Sequence, residues 1–103
     1  MTAVRYADTF RKEVDAEIEF VLESGEREWA ITLTQDIVEL EQLLRSFPEV
    51  GSELDRDGAR TLRKMRLRRS PFLVWYTADQ EKDQVVLARL FHARQLRPEP
   101  RLP

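Results

Sequence analysis

The sequence predicts an α+β fold of two layers: an N-terminal antiparallel helical hairpin, about residues 8–47, packed on an antiparallel β-sheet of three to four strands. Three observations predict it. Apolar residues recur at helical spacing through the first half, the second half switches to short β-branched and aromatic runs, and the links between elements are short. With 103 residues, 42% of them hydrophobic and 35% charged, the chain reads as one domain that buries about two thirds of its unfolded surface.

The first helix starts at Asp8 or Thr9, whose side chains suit a cap, and runs to about Ser24. Phe10, Val14, Ile18, Val21 and Leu22 form its apolar side, while Glu13, Asp15, Glu17, Glu19 and Glu23 make its outer positions acidic. Gly25 stops it. The second helix carries Trp29, Leu33, Ile37, Leu40, Leu44 and Phe47 at steps of three and four, and Pro48 ends it. Trp29 belongs to this stripe and is expected in the core, as is Trp75. Residues 48–58 read as the one substantial loop.

From there the period changes to two. In 61–69, Met65 and Leu67 point one way while Lys64, Arg66 and Arg68 point the other. Phe72–Thr77 is a dense apolar run, 78–83 is a polar hairpin loop, and Gln84–His92 is the last strand. These make a meander over about 60–92, with residues 2–6 as a short edge strand and 95–103 as an irregular tail. Both faces of the sheet carry apolar side chains, so the face away from the helices is expected to be exposed and to bind a partner.

Composition excludes several chemistries. Without cysteine there is no disulfide and no thiolate site, and a lone His92 leaves no multi-histidine metal site. No glycine-rich phosphate loop occurs, and no cofactor or metal is expected. No run approaches the about 18 apolar residues of a membrane span, and the N-terminus lacks the layout of an export signal. A soluble cytoplasmic protein is the expectation.

Charge is divided unevenly. Residues 1–55 hold five Lys/Arg and fourteen Asp/Glu, and residues 56–103 hold twelve and five, a division hidden by a net charge of −2. The basic half concentrates its charge in Arg60–Arg69 and in the ending His92-Ala93-Arg94. Such a surface meets an anion, an acidic partner or the protein's own acidic helices. Arg89 lies inside an apolar run; it either faces a partner or pairs with a helix carboxylate, since a buried unpaired charge is too costly. His92 beside Arg94 is the best candidate reactive pair, or else an imidazole that closes a strand. Tyr76 is a stacking or acid group, or an ordinary half-buried strand residue.

Four stretches together resemble one superfamily over about residues 3–98. Leu43-Leu44-Arg45-Ser46-Phe47-Pro48-Glu49-Val50-Gly51 is similar to a leucine-rich helix exit followed by Pro-x-x-Gly. Leu62-Arg63-Lys64-Met65-Arg66 resembles an opening basic strand, and Val74-Trp75-Tyr76 a central strand ending in tyrosine. Val85–Arg94 resembles a last strand ending in His-x-Arg. The superfamily is that of the RelE/ParE toxins of type II toxin–antitoxin pairs.

The resemblance implies one of two activities. A RelE-like member is a ribosome-dependent, metal-independent messenger-RNA endonuclease, and its candidate groups here are Arg63, Lys64, Arg66, Tyr76, His92 and Arg94. A ParE-like member poisons DNA gyrase by binding. Leu73 stands where the nuclease pattern has arginine, and no tyrosine follows Tyr76. The ParE-like reading is therefore favoured, with a cognate antitoxin and gyrase as partners and Arg63, Arg66, Arg68, Arg69, Arg89, His92 and Arg94 as the partner-binding set. A third reading is a non-toxic member that only binds a partner.

Overall fold

A computed structural model describes all 103 residues. The elements are β1 (Ala3–Tyr6), α1 (Asp8–Glu23), α2 (Arg27–Ser46), β2 (Ser52–Asp57), β3 (Arg60–Arg66), β4 (Phe72–Asp79) and β5 (Gln84–His92). Both helices form where the apolar period requires them. Ala7 takes the cap position of α1, and Asp8 lies in the first turn instead. Gly25 joins the helices with φ +76°, a left-handed conformation that costs glycine little.

The strands form one five-stranded sheet in the order β1-β5-β4-β3-β2. It differs from expectation in two ways. β1 runs parallel to β5, so the sheet is mixed: the hairpin carries the chain from β1 at one edge to β2 at the other, and the meander β2-β3-β4-β5 brings it back beside β1. The expected loop 48–58 contains β2, which pairs antiparallel with β3 across a two-residue turn at Gly58 and Ala59. Its sequence, Ser-Glu-Leu-Asp-Arg-Asp, hides a strand because an edge strand tolerates charge on both faces. The Asp57-Gly58 dipeptide was its one local signal.

The helices pack Phe10, Leu33, Ile37, Leu40 and Leu44 against Phe72, Val74, Tyr76, Ala78, Val85, Leu87 and Leu90 of the inner sheet face. Trp29 and Phe47, at the two ends of the α2 stripe, remain 48% and 62% exposed because they overhang the layer below. Trp75 is buried as expected, but on the outer face, with Leu62 and Phe91. No helix is long and apolar enough to cross a membrane.

A bulge in β5 decides where Arg89 goes. Leu87 pairs with Tyr76 and Arg89 with Trp75, so Ala88 is an extra residue. Leu87 and Leu90 can then both face the helices while Arg89 and Phe91 share the outer face. The Arg89 guanidinium lies 4.7 Å over the Phe91 ring.

Candidate partner-binding surface

Alternation along β3 separates its cations. Cross-strand pairing puts Arg63 opposite Tyr76 on the inner face, whereas Lys64 and Arg66 lie opposite Trp75 and Leu73 on the outer face. The two sets have different fates. Arg63 is buried: its Nη1 donates to the carbonyls of Glu49 and Gly51 at 3.0 and 2.8 Å, and its Nε donates to Thr61 Oγ1 at 2.9 Å. Glu49 and Glu53 add carboxylates at 3.5 and 3.6 Å. Arg63 thus clamps the exit of α2 onto the sheet.

Tyr76 completes that clamp. It is fully buried, and its Oη accepts the Gly51 N–H at 2.8 Å. Burial pushes its phenol above the usual range, against the pull of the Gly51 amide and the Arg63 charge. A neutral, occupied and inaccessible phenol is a packing group.

Three further cations, two in the turn after β3 and one on β5, are also engaged. Arg69 reaches Glu39 at 3.0 Å and Asp36 at 3.6 Å, and Arg68 lies 4.0 Å from Glu39. Arg89 forks onto Glu13 of α1, with Nε 3.1 Å from Oε1 and Nη2 3.2 Å from Oε2. Glu13 Oε1 also accepts the Leu90 N–H at 3.1 Å, at the edge of β5 that β1 leaves unpaired beyond Leu87. Much of the charge division is therefore internal, with acidic helices answering a basic sheet.

His92 pairs with Phe72 on the inner face, and their rings meet edge to face at 5.5 Å. Its Nδ1 accepts the Arg94 N–H at 3.2 Å, which leaves the neutral imidazole's proton on Nε2. Around it lies a groove of about 200 Å³ bordered by Glu17, Phe20, Trp29 and Ser70. Lys64, Arg66 and Arg94 enter none of the chain's ion pairs and are exposed. Lys64, Arg66 and Arg97 line a second groove of about 360 Å³ with Ser52, Met65, Leu73 and Ala93. This groove is a cationic surface whose charges enter no ion pair within the chain.

The fold, the Pro-x-x-Gly clamp and the basic outer groove invite comparison with known proteins. A family model described as the ParE toxin of the type II toxin–antitoxin system, parDE, matches residues 4–97. The chain belongs to the ParE toxin family. No curated protein sequence matches this ParE-family toxin. A chain of the chromosomal ParDE system from P. aeruginosa shares 18% identity over 89% of this toxin and 96% of itself, with a TM-score of 0.66. The archaeal RelE–RelB complex from Pyrococcus horikoshii OT3 gives 14% identity, coverage of 92% and 98%, and a TM-score of 0.63. The isolated E. coli RelE toxin gives 21%, 93% and 88%, and 0.54. These structures establish a shared fold.

The toxin's expected site residues are not all in one place. Arg63, Tyr76 and His92 lie on the inner face, and Lys64 and Arg66 on the outer. Sequence reasoning missed Asp36 and Arg97 as site residues, and missed what Gly51 and Glu13 do. Asp36 had a signal, because it sits between Leu33 and Leu40 on the inward stripe of α2, where a carboxylate needs buried partners.

Proposed function

We propose that this ParE-family toxin arrests growth in the cytoplasm by binding and poisoning DNA gyrase, and that a cognate antitoxin neutralises it. One observation carries the reading: the free cationic groove holds Lys64, Arg66 and Arg97 with no carboxylate, imidazole or phenol among its lining residues. Cleaving RNA through its 2′-hydroxyl requires a base for that hydroxyl and an acid for the leaving oxygen, both within hydrogen-bond reach of one phosphate. Here the imidazole and phenol lie on the other sheet face. Leu73, opposite Arg66, adds an apolar floor instead of a further cation. Cations beside an apolar surface fit an acidic protein surface.

The test is expression of the toxin and its variants without antitoxin. Growth arrest is expected to survive His92→Ala within about twofold, while Lys64→Ala with Arg66→Ala weakens target binding about tenfold, the loss of about 1.4 kcal/mol. Messenger-RNA 5′ ends are expected to remain intact on ribosomes. Cleavage within codons that disappears in His92→Ala would sink the gyrase reading in favour of a nuclease. Harmless expression would sink both.

A further inference from the structure

The junction of the two helices carries a short pattern that the acidic character of this half conceals. In Glu17-Ile18-Glu19-Phe20 an aromatic residue follows a carboxylate by three places, and Glu26-Arg27-Glu28-Trp29 repeats the spacing beyond Gly25. Residues three apart on a helix share a face. Glu17 and Phe20 stand together near the end of α1, and Glu26, the cap of α2, accepts the Trp29 N–H on its carbonyl at 3.0 Å. The antiparallel hairpin brings the two pairs together. All four residues line the groove of about 200 Å³ beside His92, with the buried Leu33 and Phe72 also in its wall.

This groove differs from an ordinary gap between helices in two respects. Its outer rings are left in water, Phe20 at 66% exposure and Trp29 half covered. Large apolar groups gathered at one place on a surface mark where another molecule sits. Its acids are also free. Glu13, Glu39, Glu49 and Glu53 each answer an arginine, but Glu17 and Glu26 enter no ion pair in a chain of 17 Lys and Arg. No lysine or arginine lines the groove.

Ring faces attract positive charge, and carboxylates beside them add full counter-charges. An anion is therefore repelled. A metal ion gains nothing from the rings, and no group of three metal-ligating side chains converges in the molecule. The volume falls below the about 300–1,000 Å³ of drug-sized sites, so the ligand has only a few carbons. We infer that this groove binds a small organic cation, an alkylated or quaternary ammonium ion, seated between Phe20 and Trp29 with Glu17 and Glu26 as its counter-charges. The site shares no lining residue with the outer groove of Lys64 and Arg66, so it stands apart from the gyrase reading.

Choline is the probe, and its uncharged analogue, with carbon in place of the ammonium nitrogen, is the control. The full-length toxin labelled with nitrogen-15 gives two indole signals, from Trp29 and Trp75, which Trp29→Phe assigns. Choline is expected to shift the Trp29 signal saturably, with a dissociation constant of about 1 mM, and to leave the Trp75 signal in place. The uncharged analogue should bind about tenfold more weakly. Glu17→Gln combined with Glu26→Gln should weaken choline about fivefold and leave the analogue unchanged. Phe20→Leu keeps an apolar side chain but removes a ring, and should weaken choline about threefold. These side chains lie at the surface, so circular dichroism is expected to match the parent. Equal affinity for choline and its analogue, or for the parent and the double glutamine variant, overturns the inference. So does a Trp29 signal that fails to saturate by about 100 mM choline. A Trp29 shift that follows protein concentration without choline makes a second copy the occupant and overturns it too.

Discussion

Replacing Gly51 with alanine is expected to lower the melting temperature by about 15 °C, the result of losing about 3 kcal/mol in a domain of this size. A Cβ at this position would lie 2.6 Å from the Lys64 carbonyl oxygen and 2.7 Å from Tyr76 Oη. The first neighbour is backbone in the middle of the sheet and cannot move aside. The second is the acceptor of the Gly51 N–H, so relief of the clash breaks that hydrogen bond and disturbs the carbonyl that Arg63 holds. Thermal melts followed by circular dichroism measure the loss. Tyr76→Phe alone should cost about 1.5 kcal/mol by leaving the Gly51 amide unpaired. It should not rescue Gly51→Ala, because the Lys64 carbonyl remains. An alanine variant as stable as the parent would mean that the α2 exit is not clamped against β3.

Asp36→Ala is expected to be more severe still, at about 4 kcal/mol, because it leaves three donors around one buried position. Asp36 Oδ2 accepts the Arg69 N–H at 3.0 Å, the Ser70 N–H at 2.7 Å and the Ser70 hydroxyl. Together these pin the turn between β3 and β4 to the middle of α2. Burial opposes ionisation of this carboxyl, but the Ser70 hydroxyl and amide, the Arg69 amide and the Arg69 charge outweigh it and hold its pKa below the ordinary range. The sign follows from linkage. A depressed folded-state pKa contributes stability in full above the unfolded value of about 4, and that contribution is lost as pH falls through the folded value. Denaturant melts from pH 7 to pH 3 should show a steep acid limb. Asp36→Ala should flatten it in part, leaving the share of Glu41, which the Arg45 hydrogen bond depresses most, and of Asp55, depressed first by the Leu102 amide.

These two residues mark where the sequence was legible and where it was not. Period alone located both helices and three of the strands, since burying one face is a local constraint that repeats. The same alternation already assigned Lys64 and Arg66 to one face, and the structure keeps them there. Gly51 was legible as part of Pro-x-x-Gly but its reason was not. Its close approach to Lys64 and Tyr76 depends on two strands that follow it in the chain. Arg63 looked like its neighbours in composition, and only cross-strand register separates a buried clamp from a free cation. The outer face was expected to be bare because its cover comes from a proline-rich tail with no period, meeting Asp55 across 47 residues of chain. Trp29 and Phe47 belonged to a clean stripe yet stay exposed, since a stripe specifies direction and not how far the opposing layer extends.

The charge division that dominates the sequence therefore has two parts. Glu13, Asp36, Glu39, Glu49 and Glu53 neutralise Arg89, Arg69, Arg68 and Arg63 inside the molecule. Lys64, Arg66 and Arg97 are what remains for another molecule in the outer groove. The most direct test of that account is gyrase supercoiling of relaxed plasmid in the presence of purified toxin. Supercoiling is expected to stop with increasing toxin, with linear plasmid accumulating and ribosome-bound messages uncut. Unimpeded supercoiling, together with messages cleaved on translating ribosomes, would contradict it.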